Sequence, residues 1–301
     1  MENIKNQVTQ AFLKVRGTFP FPEYMDNKLN KYIAIISQIM KEYPSGSKIL
    51  SIGSGPCDLE AILSKLGYDI TAIDDLKDQW HLIGKNIERI KDFAGQWTKL
   101  ISQSAGSSQL KENYFDVVLV IDIIEHLHRS PRELLNYSIS SLKTGGLLLI
   151  ETPNAVHLVN RFKVLLGKSN QTNANFFYWN IGEYRSHVRE YTRSELKEIL
   201  SYHNLEAVDS KMNNTAVEMV EDQSFPRKVI LNAYKLISGL YPNFRATILI
   251  SGKKPKNWSP TSNSIDNFKK YYSHIRKYNL DNEPDEVLIN KMENPSHTCM
   301  V

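Results

Sequence analysis

The feature that most constrains the fold is a regular alternation of short apolar runs and helical segments between residues 48 and 151. The apolar runs lie at 48–52, 68–73, 98–102, 115–121 and 147–151, and the helical segments between them lie at 59–66, 77–93 and 131–142. The run at 115–121 is apolar almost throughout, as in a strand buried on both faces. Strands that alternate with helices predict an α/β fold with a doubly wound, mostly parallel sheet and helices on both faces.

The second half of the chain adds two more strands to this pattern. Apolar runs at 205–212 and 244–252 bring the predicted sheet to seven strands, with a helical stretch at 226–239 between them. Thr192 is followed three residues later by Glu195, which is the capping-box pattern of a helix start.

Composition excludes several classes of protein. Of the 301 residues, 41% are hydrophobic and 23% are charged, which is ordinary for a folded enzyme. Two cysteines cannot form a disulfide framework or a cysteine-based zinc site, and we expect no metal. The net charge of +4 is too small to argue for nucleic acid. No apolar run reaches the roughly 18–20 residues of a membrane span, and the first residues lack a signal-peptide pattern, so we expect a cytoplasmic protein.

The turn after the first strand indicates a nucleotide-type ligand. Gly53 and Gly55 follow the strand directly, and glycines there let a ligand approach the backbone closely. Asp74 ends the second strand, 21 positions after Gly53, where an acidic side chain can bind ribose hydroxyls. The third glycine of a dinucleotide motif is replaced by Asp58, whose charge would repel a phosphate. A cofactor without phosphates fits better, and S-adenosylmethionine is such a cofactor.

The sequence resembles the class I S-adenosylmethionine-dependent methyltransferases over about residues 48–212. The resemblance rests on five blocks in the family's order: the glycine turn at 49–58, Phe115-Asp116-Val117-Val118, Ile124-Glu125-His126-Leu127, the LKTGGLLLIETPN segment at 142–154, and HVREYT at 187–192. It implies a seven-stranded Rossmann-like methyltransferase sheet and S-adenosylmethionine as cofactor. The implied domain limits are a helical segment at 1–45 that caps the site, a methyltransferase domain at 46–252 with an acceptor-side insertion at 153–191, and a partly helical tail at 253–301.

The resemblance also implies a set of cofactor contacts. The residues are Ser51, Gly53, Gly55, Pro56, Asp74, Asp75, Gln103, Ser104, Asp122 and Ile123. Ser51 stands where the family usually has an acidic residue, and Cys57 where it has a third glycine. Gln103 and Ser104 stand where an acid commonly contacts the adenine. Asp75 is an alternative to Asp74 for the ribose, and Asp122 is otherwise a solvated strand end.

Two histidines are the candidate catalytic residues. His126 follows the fourth strand, and His187 precedes a helix on the acceptor side. A histidine with a pKa near neutrality suits removal of a proton from a hydroxyl group. The alternatives are that the segment with His126 closes the cleft structurally and that His187 belongs to a loop anchored by local hydrogen bonds.

The expected reaction is methylation of a small or medium acceptor. The segment from Phe225 to Pro255 resembles the end of methyltransferases associated with sugar modification, which makes O-methylation of a sugar or glycan intermediate the first choice. Methylation of a quinone-type or other small-molecule hydroxyl is the alternative, and so is a catalytically inactive binding module. The aromatic run 176–179 is either an acceptor lid or packing. Bases and aromatics mix at 269–278, but an amphipathic helix explains this equally, and we expect no nucleic-acid partner.

Overall fold

The computed structural model describes residues 2–107, 109–214, 225–262, 264–271 and 284–293. The chain forms two compact units, Met1–Pro260 and Thr261–Val301. The described residues of the second unit include two short helices, α10 (Ile265–Tyr271) and α11 (Asp285–Glu293). Of the basic and aromatic segment at 269–278, residues 272–278 lie outside the described residues.

The first unit is built around one seven-stranded sheet. Its strands are β1 (Lys48–Ile52), β2 (Asp69–Ile73), β3 (Lys99–Ile101), β4 (Phe115–Ile121), β5 (Leu142–Pro153), β6 (Glu206–Asn213) and β7 (Thr247–Lys253). Their order is β3-β2-β1-β4-β5-β7-β6. Strand β7 runs antiparallel to both neighbours, whereas the other pairs are parallel. This confirms the doubly wound, mostly parallel Rossmann-like sheet predicted from the sequence.

Helices cover both faces of the sheet. They are α1 (Glu2–Arg16), α2 (Leu29–Met40), α3 (Asp58–Lys65), α4 (Asn86–Ala94), α5 (Arg132–Ser141), α6 (Leu158–Leu165), α7 (Ala174–Tyr178), α8 (Arg193–Tyr202) and α9 (Phe225–Leu240). Alternate residues of β4 enter two core layers: Leu119 packs with α1, α2 and α3, and Val118 packs with α5 and α8. The capping box at Thr192 and Glu195 is present at the start of α8.

The predicted helix at 77–93 was wrong in its first half. Helix α4 begins only at Asn86, and the preceding residues form turns. Trp80 stacks on Tyr24, with ring centroids 5.4 Å apart, and Gly84 has a φ of +57°. Packing of the tryptophan against the N-terminal segment therefore replaces the first turns of the predicted helix.

The chain leaves the first unit after Pro260 rather than at residue 253, where the tail was expected to start. Lys254 is buried, and its ammonium donates to the side chain of Asn113 and to the carbonyls of Ser140 and Leu142. These bonds hold the end of β7 against the sheet. Among the described residues, no helix has both the length and the apolar character needed to cross a membrane.

Candidate active site

A cavity of about 810 Å³ opens at the carboxyl ends of β1, β2 and β4. Its volume falls within the roughly 300–1,000 Å³ that ligand pockets occupy. In open parallel sheets this edge is where ligands bind, because the loops that follow the strands diverge there. Residues before and within α2 close one side, with Tyr24, Lys28 and Lys31 in the wall.

The glycine turn after β1 brings the backbone into the cavity wall. Gly53 has a φ of +70°, and a Cβ atom there would lie 1.9 Å from Cδ1 of Ile123. Cys57 has a φ of +64° and is buried, so a cysteine holds the left-handed conformation at the position where the family usually has a glycine. The substitution at Cys57 therefore preserves the shape of the turn.

Asp74 is bound to the glycine turn as well as facing the cavity. Its carboxylate accepts from the backbone N–H groups of Gly55 and Leu76, each at 2.7 Å. Burial raises the pKa of Asp74 to about 6. The carboxylate is thus fixed against the glycine turn that the ligand approaches.

Asp75 has a different partner. The guanidinium of Arg185 contacts both of its carboxylate oxygens, at 2.8 and 3.2 Å, and also donates to Asp78 at 2.8 Å. Such a two-point contact is the strong form of an arginine–carboxylate pair. Arg185 thereby ties the acceptor-side insertion to the loop after β2.

Glu60 is a cavity residue that the sequence analysis missed. It is only 2% exposed, and its Oε1 accepts a hydrogen bond from the Ser51 hydroxyl at 2.5 Å. Its Oε2 is buried without a hydrogen-bond partner among the described residues. Burial raises the pKa of Glu60 to about 8. The family's usual acidic residue at Ser51 is therefore replaced by a carboxyl group from helix α3.

A partly buried network of charged side chains joins helix α2 to the ends of β4 and β5 at the cavity. Lys31 forms ion pairs with Asp122 and, at 2.8 Å, with Glu151. Burial alone would raise the pKa of Asp122, but the charge of Lys31 lowers it below its usual value. Burial and the charge of Asp122 raise the pKa of Glu151. Asp122, with a φ of +53°, is thus held in an ion-pair network, and its side chain remains 48% exposed.

Nine of the ten predicted cofactor residues line this cavity. They are Ser51, Gly53, Gly55, Asp74, Asp75, Gln103, Ser104, Asp122 and Ile123. Pro56 is buried and does not line it.

His126 lies in the cavity wall in a defined tautomer. Its Nδ1 is 2.8 Å from the backbone carbonyl oxygen of Arg185. Burial, and then the neighbouring His187, lower the pKa of His126, so the ring is neutral at pH 7. Because a carbonyl only accepts, Nδ1 carries the proton and Nε2 is left with a lone pair.

His187 and Glu125 lie beside His126. The two imidazole rings are nearly perpendicular with centroids 5.0 Å apart, and Oε1 of Glu125 is 3.8 Å from Nε2 of His126. A hydrogen bond from Nδ1 of His187 to Glu190, at 2.9 Å, raises the pKa of His187. Burial and Asp122 raise the pKa of Glu125 to about 7.

The same three residues have the donor composition of a metal site. The ligand atoms of Glu125, His126 and His187 lie within 4.8 Å of one another. Imidazole and carboxylate groups suit divalent transition metals. The sequence analysis expects no metal, and a chelator experiment described below separates the two roles.

His187 faces a second cavity, of about 780 Å³, within the acceptor-side insertion. Lys163, Lys168 and Phe177 also line it, and His128 and Tyr184 belong to the walls of both cavities. The predicted catalytic pair therefore stands at the boundary: His126 in the first wall and His187 in the second.

The fold and the first cavity together define a class of enzyme, the S-adenosylmethionine-dependent methyltransferases. The class is indicated by the strand order with its antiparallel β7 and by the glycine turn at the cavity. The family model described as "Methyltransferase domain" matches residues 22–210, and the chain belongs to that family. Its cofactor is S-adenosylmethionine. The predicted class and cofactor are confirmed.

Individual relatives agree with this class. The chain is 26% identical over 239 residues to the ubiquinone biosynthesis O-methyltransferase of Rickettsia typhi (strain ATCC VR-144 / Wilmington), covering 77% of this chain and 84% of the relative. A SAM-dependent methyltransferase from Archaeoglobus fulgidus superposes with a TM-score of 0.50 at 20% identity, covering 79% of this chain and 99% of that one. Phosphoethanolamine N-methyltransferase 2 of Haemonchus contortus, in complex with S-adenosyl-L-methionine, has a TM-score of 0.50 at 15% identity, covering 75% and 53%. The two structural likenesses show the fold.

The residues of the first cavity fit this cofactor. Gly53 lets the side chain of Ile123, another residue of the wall, pack directly on the backbone of the turn. The aspartate and glutamate residues of the wall, among them Asp58, Asp74 and Asp122, outnumber its four lysine and arginine residues. An acidic cavity favours a ligand that carries a positive sulfonium and no phosphate.

Proposed function

We propose that this protein methylates a hydroxyl oxygen of an aromatic, quinone-type small molecule. The Rickettsia relative, which aligns over most of the chain, is named for O-methylation in ubiquinone biosynthesis. This supports the quinone-type alternative of the sequence analysis over its first choice, the sugar or glycan acceptor. The observation that carries an O-methylation is the free lone pair on Nε2 of His126 beside the cofactor cavity.

The cofactor, when bound, supplies a methyl group on a positively charged sulfur. In this proposal Asp74 binds its ribose, because Asp75 is already engaged by Arg185. Gly53, with a φ of +70°, keeps the turn and Ile123 in the arrangement that forms the cavity wall. The segment at 1–45 caps the site through Lys28 and Lys31.

The chain's own contribution to chemistry is proton removal. His126 takes the hydroxyl proton of the acceptor on Nε2, and the neighbouring Glu125 stabilises the imidazolium that results. A phenolic hydroxyl loses its proton near pH 10, as in tyrosine, which is within reach of a histidine base. A sugar hydroxyl is far less acidic, so this arrangement favours the phenolic acceptor. His187 positions His126 from the acceptor side.

The test is methyl transfer to a panel of acceptors. Purified full-length protein is incubated with S-adenosylmethionine and a catechol, a prenylated catechol, a benzoquinol or free monosaccharides. S-adenosylhomocysteine and methylated products are then measured by mass spectrometry. We expect monomethylated phenols and unchanged sugars. Methylation of sugars alone would restore the first choice of the sequence analysis.

A catalytically inactive module would give a different result. It would bind S-adenosylhomocysteine in calorimetry and turn over no acceptor of the panel. The cytoplasmic location stays a prediction, as does the lack of a nucleic-acid partner.

Treatment with a chelator distinguishes a role of His126 as a general base from a role as a metal ligand. We expect turnover of the best phenolic acceptor to survive overnight dialysis against EDTA, because a histidine base needs no metal. Loss of turnover in EDTA, restored by a divalent ion, would instead assign Glu125, His126 and His187 as ligands.

A further inference from the structure

The acceptor-side insertion presents a large apolar surface to solvent. Helices α6 and α7 and the residues after them carry side chains that are between 71% and 87% exposed, namely Leu165, Leu166, Phe176, Tyr178, Trp179 and Ile181. The sequence analysis left the aromatic run 176–179 open between a lid and core packing. Its exposure excludes core packing. Contiguous apolar surface of this kind marks an interaction site.

The charge of the apolar part of the insertion is one-sided, although Glu183 and Glu190 follow it. Residues 152–182 contain no aspartate or glutamate, whereas Arg161, Lys163 and Lys168 are basic. The whole chain is nearly balanced, with 37 basic and 33 acidic residues. An apolar face whose own charged residues are all basic is complementary to an apolar partner that carries negative charge.

A second segment extends the same surface. The end of α9 exposes Leu236, Leu240 and Tyr241, and residues 225–242 also lack acidic side chains. The ring of Tyr241 lies 5.4 Å from that of Phe244, and the guanidinium of Arg161 lies 5.1 Å above the Phe244 ring. Helix α6 and the turn after α9 therefore adjoin.

We propose that this surface, formed by residues 158–181 and 236–241, docks the protein on an anionic lipid bilayer. Tryptophan, tyrosine and leucine side chains enter the boundary between head groups and acyl chains, and lysine and arginine contact the lipid phosphates. A second copy of the chain fits less well, because two identical faces would bring their basic residues together. Docking of this kind does not require a membrane-spanning helix.

The location of the second cavity connects the surface to uptake of the acceptor. Lys163, Lys168 and Phe177 belong to the insertion and also line that cavity. An acceptor dissolved in the bilayer therefore reaches His187 from the membrane side. This step rests on the proposed function, whereas the docking itself does not.

The experiment measures binding of the full-length protein to vesicles by flotation. One set contains phosphatidylcholine alone and the other about a quarter phosphatidylglycerol, which supplies the negative surface potential. We expect the partition coefficient to be at least about tenfold higher on the anionic vesicles and to fall as salt rises from about 0.05 M to about 1 M. No acceptor or turnover is needed, so failure here is distinguishable from failure of the proposed function.

A triple variant tests the surface itself. Leu165→Ser, Trp179→Ser and Ile181→Ser remove apolar area from residues that line neither cavity. We expect partitioning to fall at least about tenfold, with unchanged melting temperature and S-adenosylhomocysteine affinity. The matched control is Leu13→Ser on α1, which is 55% exposed outside the surface and keeps wild-type partitioning.

Two outcomes would overturn the proposal. The first is partitioning of the wild type that is negligible or insensitive to lipid charge. The second is a stable dimer in analytical ultracentrifugation that the triple variant converts to a monomer, which would assign the surface to a second copy of the chain.

Discussion

The cofactor cavity and the acceptor-side insertion belong to one unit of the chain, but they differ in which side chains they bury and which they expose. Around the cavity, ionisable side chains such as Glu60 and Glu151 are buried, and they are held by the Ser51 hydroxyl and by the ion pair with Lys31. In the insertion, large apolar side chains such as Trp179 and Ile181 are exposed. Fixed polar groups suit a ligand that every turnover uses, because they need no reorganisation. A pliable apolar surface suits a partner without defined shape.

Hydrogen bonds connect the two regions. Arg185 bridges the insertion to Asp75 and Asp78, and its backbone carbonyl orients His126. The position of the base therefore depends on contacts from the acceptor side. The following predictions test this division, from the largest expected effect to the smallest.

Gly53→Val should abolish cofactor binding. The valine would have to adopt a positive φ, and its Cβ would displace Ile123. We expect a loss of about 2–4 kcal/mol in stability, measured by urea unfolding, and no detectable S-adenosylhomocysteine binding in calorimetry.

Gly182→Val is the matched control in the insertion. Gly182 has a similar φ of +79°, but no atom lies within 4 Å of its added Cβ. It should lose some stability through backbone strain and keep wild-type cofactor affinity. Equal loss of affinity in both variants would mean that strain, and not the cavity, explains the effect of Gly53→Val.

His126→Ala should lower kcat by about 10²- to 10⁴-fold, the range for loss of a general base, with nearly unchanged cofactor affinity. The pH dependence identifies which histidine acts. Burial lowers the pKa of His126, so turnover should fall only as the pH drops below the usual histidine value of about 6.5.

His187 would give the opposite shift, because its hydrogen bond to Glu190 raises its pKa. If turnover already falls with decreasing pH above pH 6.5, and His187→Ala removes this pH dependence, then His187 and not His126 is the base.

Asp74→Ala should weaken S-adenosylhomocysteine binding by about tenfold to a hundredfold, the value of a charge-assisted hydrogen bond. Since this carboxylate also binds the N–H groups of Gly55 and Leu76, some stability should be lost too.

Asp75→Ala is the comparison for Asp74. It breaks the contact with Arg185 at the insertion, so we expect a raised KM for the acceptor and an almost unchanged cofactor affinity, measured by steady-state kinetics and calorimetry. If Asp75→Ala has the larger effect on cofactor affinity, the ribose belongs to Asp75.

Glu60→Gln should have the smallest effect near neutral pH. With its pKa raised to about 8, Glu60 is mostly protonated in the folded protein, and glutamine has nearly the same shape. Because the folded state holds this proton more tightly than the unfolded chain, wild-type stability should decline as the pH rises from about 4.5 to about 8.

The glutamine variant lacks that proton, so its melting temperature should decline less over the same pH range. If the melting temperatures of the two proteins instead change equally with pH between pH 5 and 9, Glu60 is ionised when buried, contrary to this prediction.

The bounds of the central strands were predicted closely from the sequence. The prediction was wrong where packing between distant segments determines the local structure. Strand β1 spans Lys48–Ile52 and β4 spans Phe115–Ile121, as predicted, because a buried strand leaves a continuous apolar run. The helix predicted from residue 77 begins at Asn86, because the N-terminal segment captures Trp80. Periodicity within the chain contains no information about such a partner.

The sequence by itself determined the alternation of strands and helices, the glycine turn and the position of Asp74, since each depends on neighbours within one strand–turn–helix unit. Only the tertiary structure decided which groups meet across long separations. Glu60 takes the place of an acid at Ser51, Arg185 binds Asp75, and Glu125, His126 and His187 form one cluster. It also decided that the aromatic run at 176–179 faces solvent. The physical reason is that burial, and with it every shifted pKa, is set by packing between distant segments.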